Sequence, residues 1–331
     1  MTEAAASKSA SKIIAATGEG RLGQWWRHFD RSTLVWLLLI VLLMFLVVNP
    51  LLRLFVVSFE KASGSGFTLA KYVYAYSRGR YLEALGNSLV LGISSATLCT
   101  LFGVPMAWAI SRTNMPGKGL VWVSILGTFI VPAYLGAVAW ILLAGPNSGW
   151  LNRVFTALTG AERGPFNIYS MTGLVVVVAS YSFPYMFVFT KSALDLVSSE
   201  MEDAANILGA GTLRTSLRIT LPLVLPAILG AYIISFLEAI ALFGAPALLA
   251  LPGRFHVVTT QTWEFFEFPP KVGVAAAYAM PLLLVTIAAV AVNPCLPPQY
   301  QLSEETIGTA INFFIGLMGA KAGVDIWQVA K

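Results

Sequence analysis

The sequence predicts an all-α membrane protein with six transmembrane helices. Three observations lead there. Of its 331 residues 57% are hydrophobic and only 11% are charged, a balance outside that of soluble globular domains. The mean hydropathy is +0.76. Apolar stretches of the ~20 residues that carry a helix across a ~30 Å hydrocarbon core run over 34–58, 86–110, 120–143, 171–190, 223–250 and 273–292.

Residues 1–32 are rich in Ala, Ser and Gly, carry Lys8, Lys12, Arg21, Arg27 and Arg31, and read as a disordered cytoplasmic leader. The apolar run after them is far longer than the ~7 to 15 residues of a signal-peptide core, so 33–59 is expected to remain as the first transmembrane helix. With the N-terminus inside, the cytoplasmic segments hold those five basic residues plus Arg112, Lys118, Lys191, Arg214, Arg218, Lys321 and Lys331. The outside loops hold Lys61, Lys71, Arg78, Arg80, Arg153, Arg163, Arg254 and Lys271, a bias of the sign that the positive-inside rule expects. The pI of 9.2 is assigned to this topology. No basic patch is interleaved with aromatics in a soluble segment, so no nucleic acid is expected as a partner.

The segment 60–84, with Gly64, Gly66, Tyr72, Tyr74 and Tyr76, reads as an external loop with a short interfacial helix. Residues 85–292 hold the other five spans. The second opens with Asn87 and Ser88 and carries Ser94, Ser95, Thr97 and Thr100; such a face serves either helix packing or a pathway. A turn at Ser111–Lys118 follows. The third span ends in the turn cluster Gly145-Pro146-Asn147-Ser148-Gly149. The fourth carries Tyr181, Pro184 and Tyr185, and a proline inside a span favours a face turned to the bundle or a cavity. Mid-way along the fifth lies Glu238, where a carboxylate is either a functional site or a structural hydrogen-bond partner for a neighbouring span. Glu238, Asn87, Ser88, Tyr181 and Tyr185 are the candidate pathway residues. Residues 293–331 read as a cytoplasmic tail whose apolar patch, Ile307–Gly319, is too short to span.

Cys99, Cys295, His28 and His256 form neither a disulfide framework nor a metal site by number and spacing. No metal or cofactor is expected on this chain.

The most informative stretch is the polar insertion between spans four and five. Ser199 followed by Glu202 is a capping-box spacing, and Glu200, Glu202 and Asp203 suit the positive end of a helix dipole. Ala204 and Ala205 offer close approach, and Gly209 or Gly211 a stop. A second helical stretch carries Leu213, Arg214, Leu217 and Arg218 into Leu221-Pro222. A helix lying on lipid headgroups prefers a basic polar face; three clustered acids point instead to a docking element for a soluble protein.

The frame Asp203-Ala204-Ala205, Gly209, Ile219 and Leu221-Pro222 resembles the EAA loop of ABC importer permeases, with Asp in place of the usual first Glu, and the similarity covers about residues 68–292. The resemblance implies a type I ABC importer permease fold with a cytoplasmic coupling helix, 199–222, between spans four and five. It implies docking of Glu202, Asp203, Ala204, Ala205, Gly209, Arg214, Ile219, Leu221 and Pro222 on the ATPase; Arg214 and Arg218 bind acids of that partner or phospholipid headgroups. Two ATP-binding cassette subunits would hold the ATP and Mg. A second permease copy or homologue, an extracytoplasmic solute-binding protein and membrane lipid complete the expected partners. Gly145-Pro146-Asn147 with Leu151-Asn152, Asn167-Ile168-Tyr169-Ser170, and Phe243-Gly244-Ala245-Pro246-Ala247 with Thr259-Thr260-Gln261 are similar to the branch handling ferric iron and 2-aminoethylphosphonate. Polyamine, sulfate and thiamine are the alternative solutes. Permeases of that branch often continue into a second set of spans, so the chain is expected to be either a half-unit with a partner or a form without its second half.

No G-x-x-x-x-G-K-[ST] phosphate loop occurs, so the chain is expected to be a non-catalytic transport subunit. An ion-coupled secondary transporter would need charged residues spread over several spans, and only Arg53 and Glu238 qualify. An integral-membrane enzyme would need a reactive cluster at membrane depth, and none is evident.

Overall fold

The computed structural model describes residues 31–61, 66–128 and 131–292; the expected leader up to residue 30 and the expected tail from 293 lie outside them. Among the described residues the chain is helical, and a single isolated bridge pairs Glu60 with Phe67.

The chain forms two units, divided after Arg53. The first holds α1 (Arg31–Leu43), a π turn (Met44–Val48) and the start of α2 (Asn49–Phe59). The continuous apolar helix Leu37–Phe59 has 23 residues, about 35 Å at helical rise, long enough to cross. Its side chains from Leu37 to Leu46 are exposed, as lipid-facing side chains are.

The second unit continues with α3 (Ala70–Tyr76), α4 (Gly79–Arg112), α5 (Lys118–Gly127), α6 (Ala133–Ala144), α7 (Trp150–Thr159), α8 (Met171–Leu196), α9 (Ser199–Ile207), α10 (Thr212–Thr215), α11 (Leu221–Ala241), α12 (Gly244–Leu249), α13 (Val258–Glu264) and α14 (Val272–Val292). Helices α4, α8 and α11 pack on one another and form the centre. The cause is a stripe of small residues on α4: Gly92, Ala96, Cys99, Gly103 and Ala107 are all buried and recur at helical spacing, which lets backbones approach closely without a hydrophobic drive between helices. A β-carbon at Gly92 would stand 2.6 Å from Ile240 of α11, and one at Gly103 would stand 2.8 Å from Met186 of α8.

The structure corrects two of the expected spans. The third is two helices, α5 and α6, with Pro132 as N-cap of the second; proline cannot continue the hydrogen-bond ladder. The fifth ends at Ala241, because Leu242 turns extended and the chain restarts as α12 at Gly244. It also starts earlier than expected. Helix α10, a π turn (Ser216–Thr220) and α11 form one helix, Thr212–Ala241, with the wider turn placed just before Pro222, the residue that has no N–H to give. The expected interfacial helix is α3, whose Tyr74 and Tyr76 meet the rings of Tyr81 and Tyr278, with Phe265 edge-on to those two; Tyr278 donates to the Tyr81 carbonyl at 2.6 Å.

The strings read as marks of a solute branch have local structural work. Asn152 is 4% exposed; its Nδ2 donates to the carbonyls of Gly145 (2.9 Å) and Phe166 (2.8 Å), and its Oδ1 accepts from Phe166 N (3.0 Å). That one amide closes the loop between α6 and α8. Ser170 caps α8 by accepting from Gly173 N at 3.1 Å, and Thr259 Oγ1 donates to the Leu242 carbonyl, where α11 stops.

Replacing Asn152 by Ala strands three backbone groups, each costing about 1–3 kcal/mol where buried. Thermal denaturation of the purified protein in detergent is expected to show a clear fall in Tm for Asn152→Ala, and little change for Asn147→Ala at an exposed turn position.

Candidate functional site

At the end of α4 that carries Arg112, four helix ends converge: the C-termini of α4 and α8, the whole of α9, and the base of the α10–α11 rod. The first two leave carbonyls without helical partners. Arg112, the last residue of α4, supplies the donors: its Nη2 lies 2.9 Å from the carbonyls of Leu194 and Val197 at the end of α8. Its Nε forms an ion pair with Glu202 of α9 at 3.1 Å, off-line for a hydrogen bond, with both side chains largely buried (15% and 22% exposed). Glu202 Oε1 also accepts from Thr220 Oγ1 at 2.7 Å. One carboxylate thus ties α9 to α4 and to the base of α11. Beside it Asp195 of α8 accepts from Ser111 Oγ at 3.0 Å and pairs with Lys191. A cavity of about 50 Å³ lies between Trp108, Arg112, Glu202, Asn206, Thr212, Thr215 and Ser216.

The expected capping box is not what starts α9. The N-cap is Ser198, whose Oγ accepts from Glu200 N at 3.2 Å; Glu202 is drawn inward by Arg112 instead of folding back on Ser199. Its carboxylate therefore leaves the outward face that the sequence assigned to it, and Ala205, which is buried, leaves it too. Asp203, Ala204, Gly209, Arg214 and Pro222 are exposed, while Ile219 and Leu221 are half-buried along the rod. Three large apolar side chains join the exposed face: Ile207, Leu208 and Leu213 are 86%, 87% and 74% exposed.

Of the two candidate stops, Gly209 is the one used. Its φ is +82°, Gly209 N donates to the Asn206 carbonyl (2.9 Å) and Ala210 N to that of Ala205 (3.0 Å), the paired bonds of a Schellman motif. Gly211 has an ordinary φ of −75° and caps α10.

The candidate pathway residues fall in two places. Glu238 on α11 shares a hydrogen bond with Ser182 of α8 and lies near Tyr185; its Oε2, with the Ser95 and Ser235 hydroxyls, is enclosed without a hydrogen-bond partner among the described residues. Tyr181 lies against Gly136 of α6, where a β-carbon would overlap its ring. Asn87 and Ser88 are at the opposite end of α4 from Arg112: Ser88 Oγ accepts from Val258 N at 2.7 Å and Asn87 donates to the His256 carbonyl at 2.9 Å. Sequence reasoning counted Arg112 only as a basic residue of the inner loops. The available signal was its place as the last residue of an apolar span, where carbonyls need a donor. Among the described residues no group of three or more His, Cys, Asp or Glu could hold a metal ion.

The two glycines separate in an experiment. Gly209→Ala forces a side chain into a left-handed conformation that costs about 1–2 kcal/mol, so amide exchange over 204–210 is expected to quicken by roughly 5- to 30-fold, while Gly211→Ala leaves it unchanged.

The family model described as "Binding-protein-dependent transport system inner membrane component" matches residues 35–300. A probable molybdenum ABC transporter permease protein of Haloferax volcanii is 30% identical over 62% of this chain and 71% of its own length. The sulfate transport system permease protein CysW of Synechocystis is 26% identical over 76% and 89%. The ferric transport system permease protein FbpB of Actinobacillus pleuropneumoniae is 24% identical over 69% of this chain but 32% of its own length. Among solved structures, a bacterial ABC transporter involved in the import of the acidic polysaccharide alginate aligns with a TM-score of 0.64 at 17% identity, over 80% of this chain and 95% of that one, a likeness of fold. With the family model matching most of its length, the chain belongs to the binding-protein-dependent transport system inner membrane components and is a permease subunit of an ABC importer.

Proposed function

We propose that this permease moves a small tetrahedral oxyanion, with sulfate and molybdate the first candidates, delivered by an extracytoplasmic binding protein and driven by two partner ATPase subunits that hold ATP and Mg. The solute class rests on the relatives whose names specify sulfate and molybdenum transport. Ferric iron has less support, since the ferric relative matches over a third of its length, and the strings first read as marks of that branch have the structural work described above. A phosphonate shares the tetrahedral oxyanion head and stays within the proposed class.

The observation that carries the coupling role is the exposed face of α9 and α10. Asp203, Ala204, Ile207, Leu208, Gly209, Leu213 and Arg214 present an apolar surface with a charge of each sign, and large exposed apolar patches beyond the lipid mark protein contacts. The N-terminus and this face lie on the cytoplasmic side, and a second permease, a copy or a homologue, completes the pathway. Closure of the ATPase subunits pulls on α9, and Glu202 passes the pull to α4 and α11. This is rigid-body switching of packed helices between outward-open and inward-open states.

Ala204 is exposed on α9, so Ala204→Trp adds bulk to the docking face without touching the packing below. With the intact transporter, Ala204→Trp is expected to keep membrane insertion and Tm while copurification of the ATPase subunit and uptake both fall. Unchanged copurification and uptake would remove the docking role. Uptake by the unaltered system is expected with radiolabelled sulfate or molybdate and not with ferric iron; the reverse would refute the solute class.

A further inference from the structure

At the far end of α4, about 48 Å from Arg112 at helical rise, a pocket of about 410 Å³ is lined by Arg80, Glu83, Ala84, Asn87, Arg254, Phe255 and His256. We infer that this pocket is an entry subsite for a small oxyanion, with Arg254 as its principal ligand; the inference rests on the oxyanion reading of the solute.

Arg254 is the unusual residue. Its φ is +60°, the one positive value at a non-glycine position among the described residues. The bonds of Gly253 N to the Leu249 carbonyl, Arg254 N to that of Leu251 and Phe255 N to that of Ala250 fix it where helix ends normally place glycine. Gly253, one residue earlier, is needed where it stands, because a β-carbon there would lie 2.7 Å from the Tyr169 carbonyl oxygen. A side chain in that conformation costs of order 1–3 kcal/mol. Among the described residues no ion pair or side-chain hydrogen bond of Arg254 offsets this cost. Strain kept at a pocket wall, around an exposed guanidinium with no side-chain partner among the described residues, points to a ligand from outside.

The rest of the wall is built from fixed groups. Arg80 is held by Glu264 at 2.9 Å and by His256 Nε2 at 2.8 Å. A guanidinium only donates, so His256 accepts through Nε2 and is neutral. Burial and the nearby Arg80 charge lower its pKa, against the smaller pull of Glu264 and Glu83. Asn87 locks the His256 carbonyl. With Glu264 committed to Arg80 and Gln261, the charges on the lining without an ion-pair partner among the described residues are those of Arg254 and Glu83, so an anion at Arg254 competes with Glu83. A recess of this volume suits a small solute.

The site is tested by equilibrium dialysis of radiolabelled sulfate and of molybdate against the purified permease–ATPase complex, with no binding protein present. Saturable binding of at least one ion is expected, weakened roughly tenfold or more by Arg254→Gly, as loss of a charge-assisted hydrogen bond implies. Because glycine suits φ +60°, Arg254→Gly is expected to keep or raise Tm, which separates loss of the ligand from loss of the fold. Arg254→Lys is expected to bind between the two, and Glu83→Gln more tightly than the unaltered protein. Absence of saturable binding in the unaltered complex, or equal binding by Arg254→Gly, overturns the assignment. Uptake by the complete transporter is scored separately: binding at the pocket without oxyanion uptake refutes the proposed solute and leaves the site standing, whereas oxyanion uptake without binding at the pocket refutes the site alone.

Discussion

The pairing of Arg112 with Glu202 is the interaction on which the working part of this molecule depends. Helices α4 and α8 end side by side, and each end carries partial negative charge from unpaired carbonyls. Into that negative corner the fold also brings a carboxylate from α9. Without a cation the three would repel. The guanidinium of Arg112 meets the α8 carbonyls of Leu194 and Val197 with one nitrogen and Glu202 with another, a fork that lysine's single ammonium lacks. Because the pair is largely buried, it is weakly screened, and loss of either partner leaves an uncompensated charge.

In the proposed coupling role, the same node would let a nine-residue helix act on a bundle. Isolated helices of that length are marginal in water, yet α9 starts on the Ser198 hydroxyl, stops on Gly209 and is held from below by Glu202. Its neighbour α10 needs no separate anchor, since it is the extension of α11 through one π turn. Force applied to the exposed face therefore reaches α4 through Arg112 and α11 through Thr220 and the rod itself. The close packing that small residues allow along α4 keeps α4, α8 and α11 together above that point.

Much of this was legible in the sequence because the bilayer simplifies the code. Where every backbone polar group must be satisfied within the segment, long apolar runs become helices, and the polar insertion at 199–222 stood out against them. The EAA-like frame marked the helix proposed here to dock, and its stop was narrowed to Gly209 or Gly211. What could not be read were choices between equivalent local partners. Ser198 and Ser199 are both capping residues, and only the presence of Arg112, ninety residues earlier, decides that Glu202 turns inward. Pro132 lies within an expected span and opens a new helix there, whereas Pro222, at the expected start of a span, follows a π turn within one continuous helix. Arg254 was counted only among the basic residues of the outside loops, since a positive φ is not written in residue type. The solute strings carry a second meaning that residue type does not separate: Asn152 closes a loop and Ser170 caps a helix, whatever is carried.

The central claim is that α9 and the end of α4 move as one body. The direct measurement is the distance between spin labels at Asn114→Cys and Ser199→Cys, both exposed positions flanking the Arg112–Glu202 pair, in the assembled transporter with and without ATP. The account predicts a distance distribution that stays put through the cycle while the transporter turns over. A shift of about 5 Å or more, the size of a one-turn slide of one helix past another, would show that α9 swings independently and would contradict it.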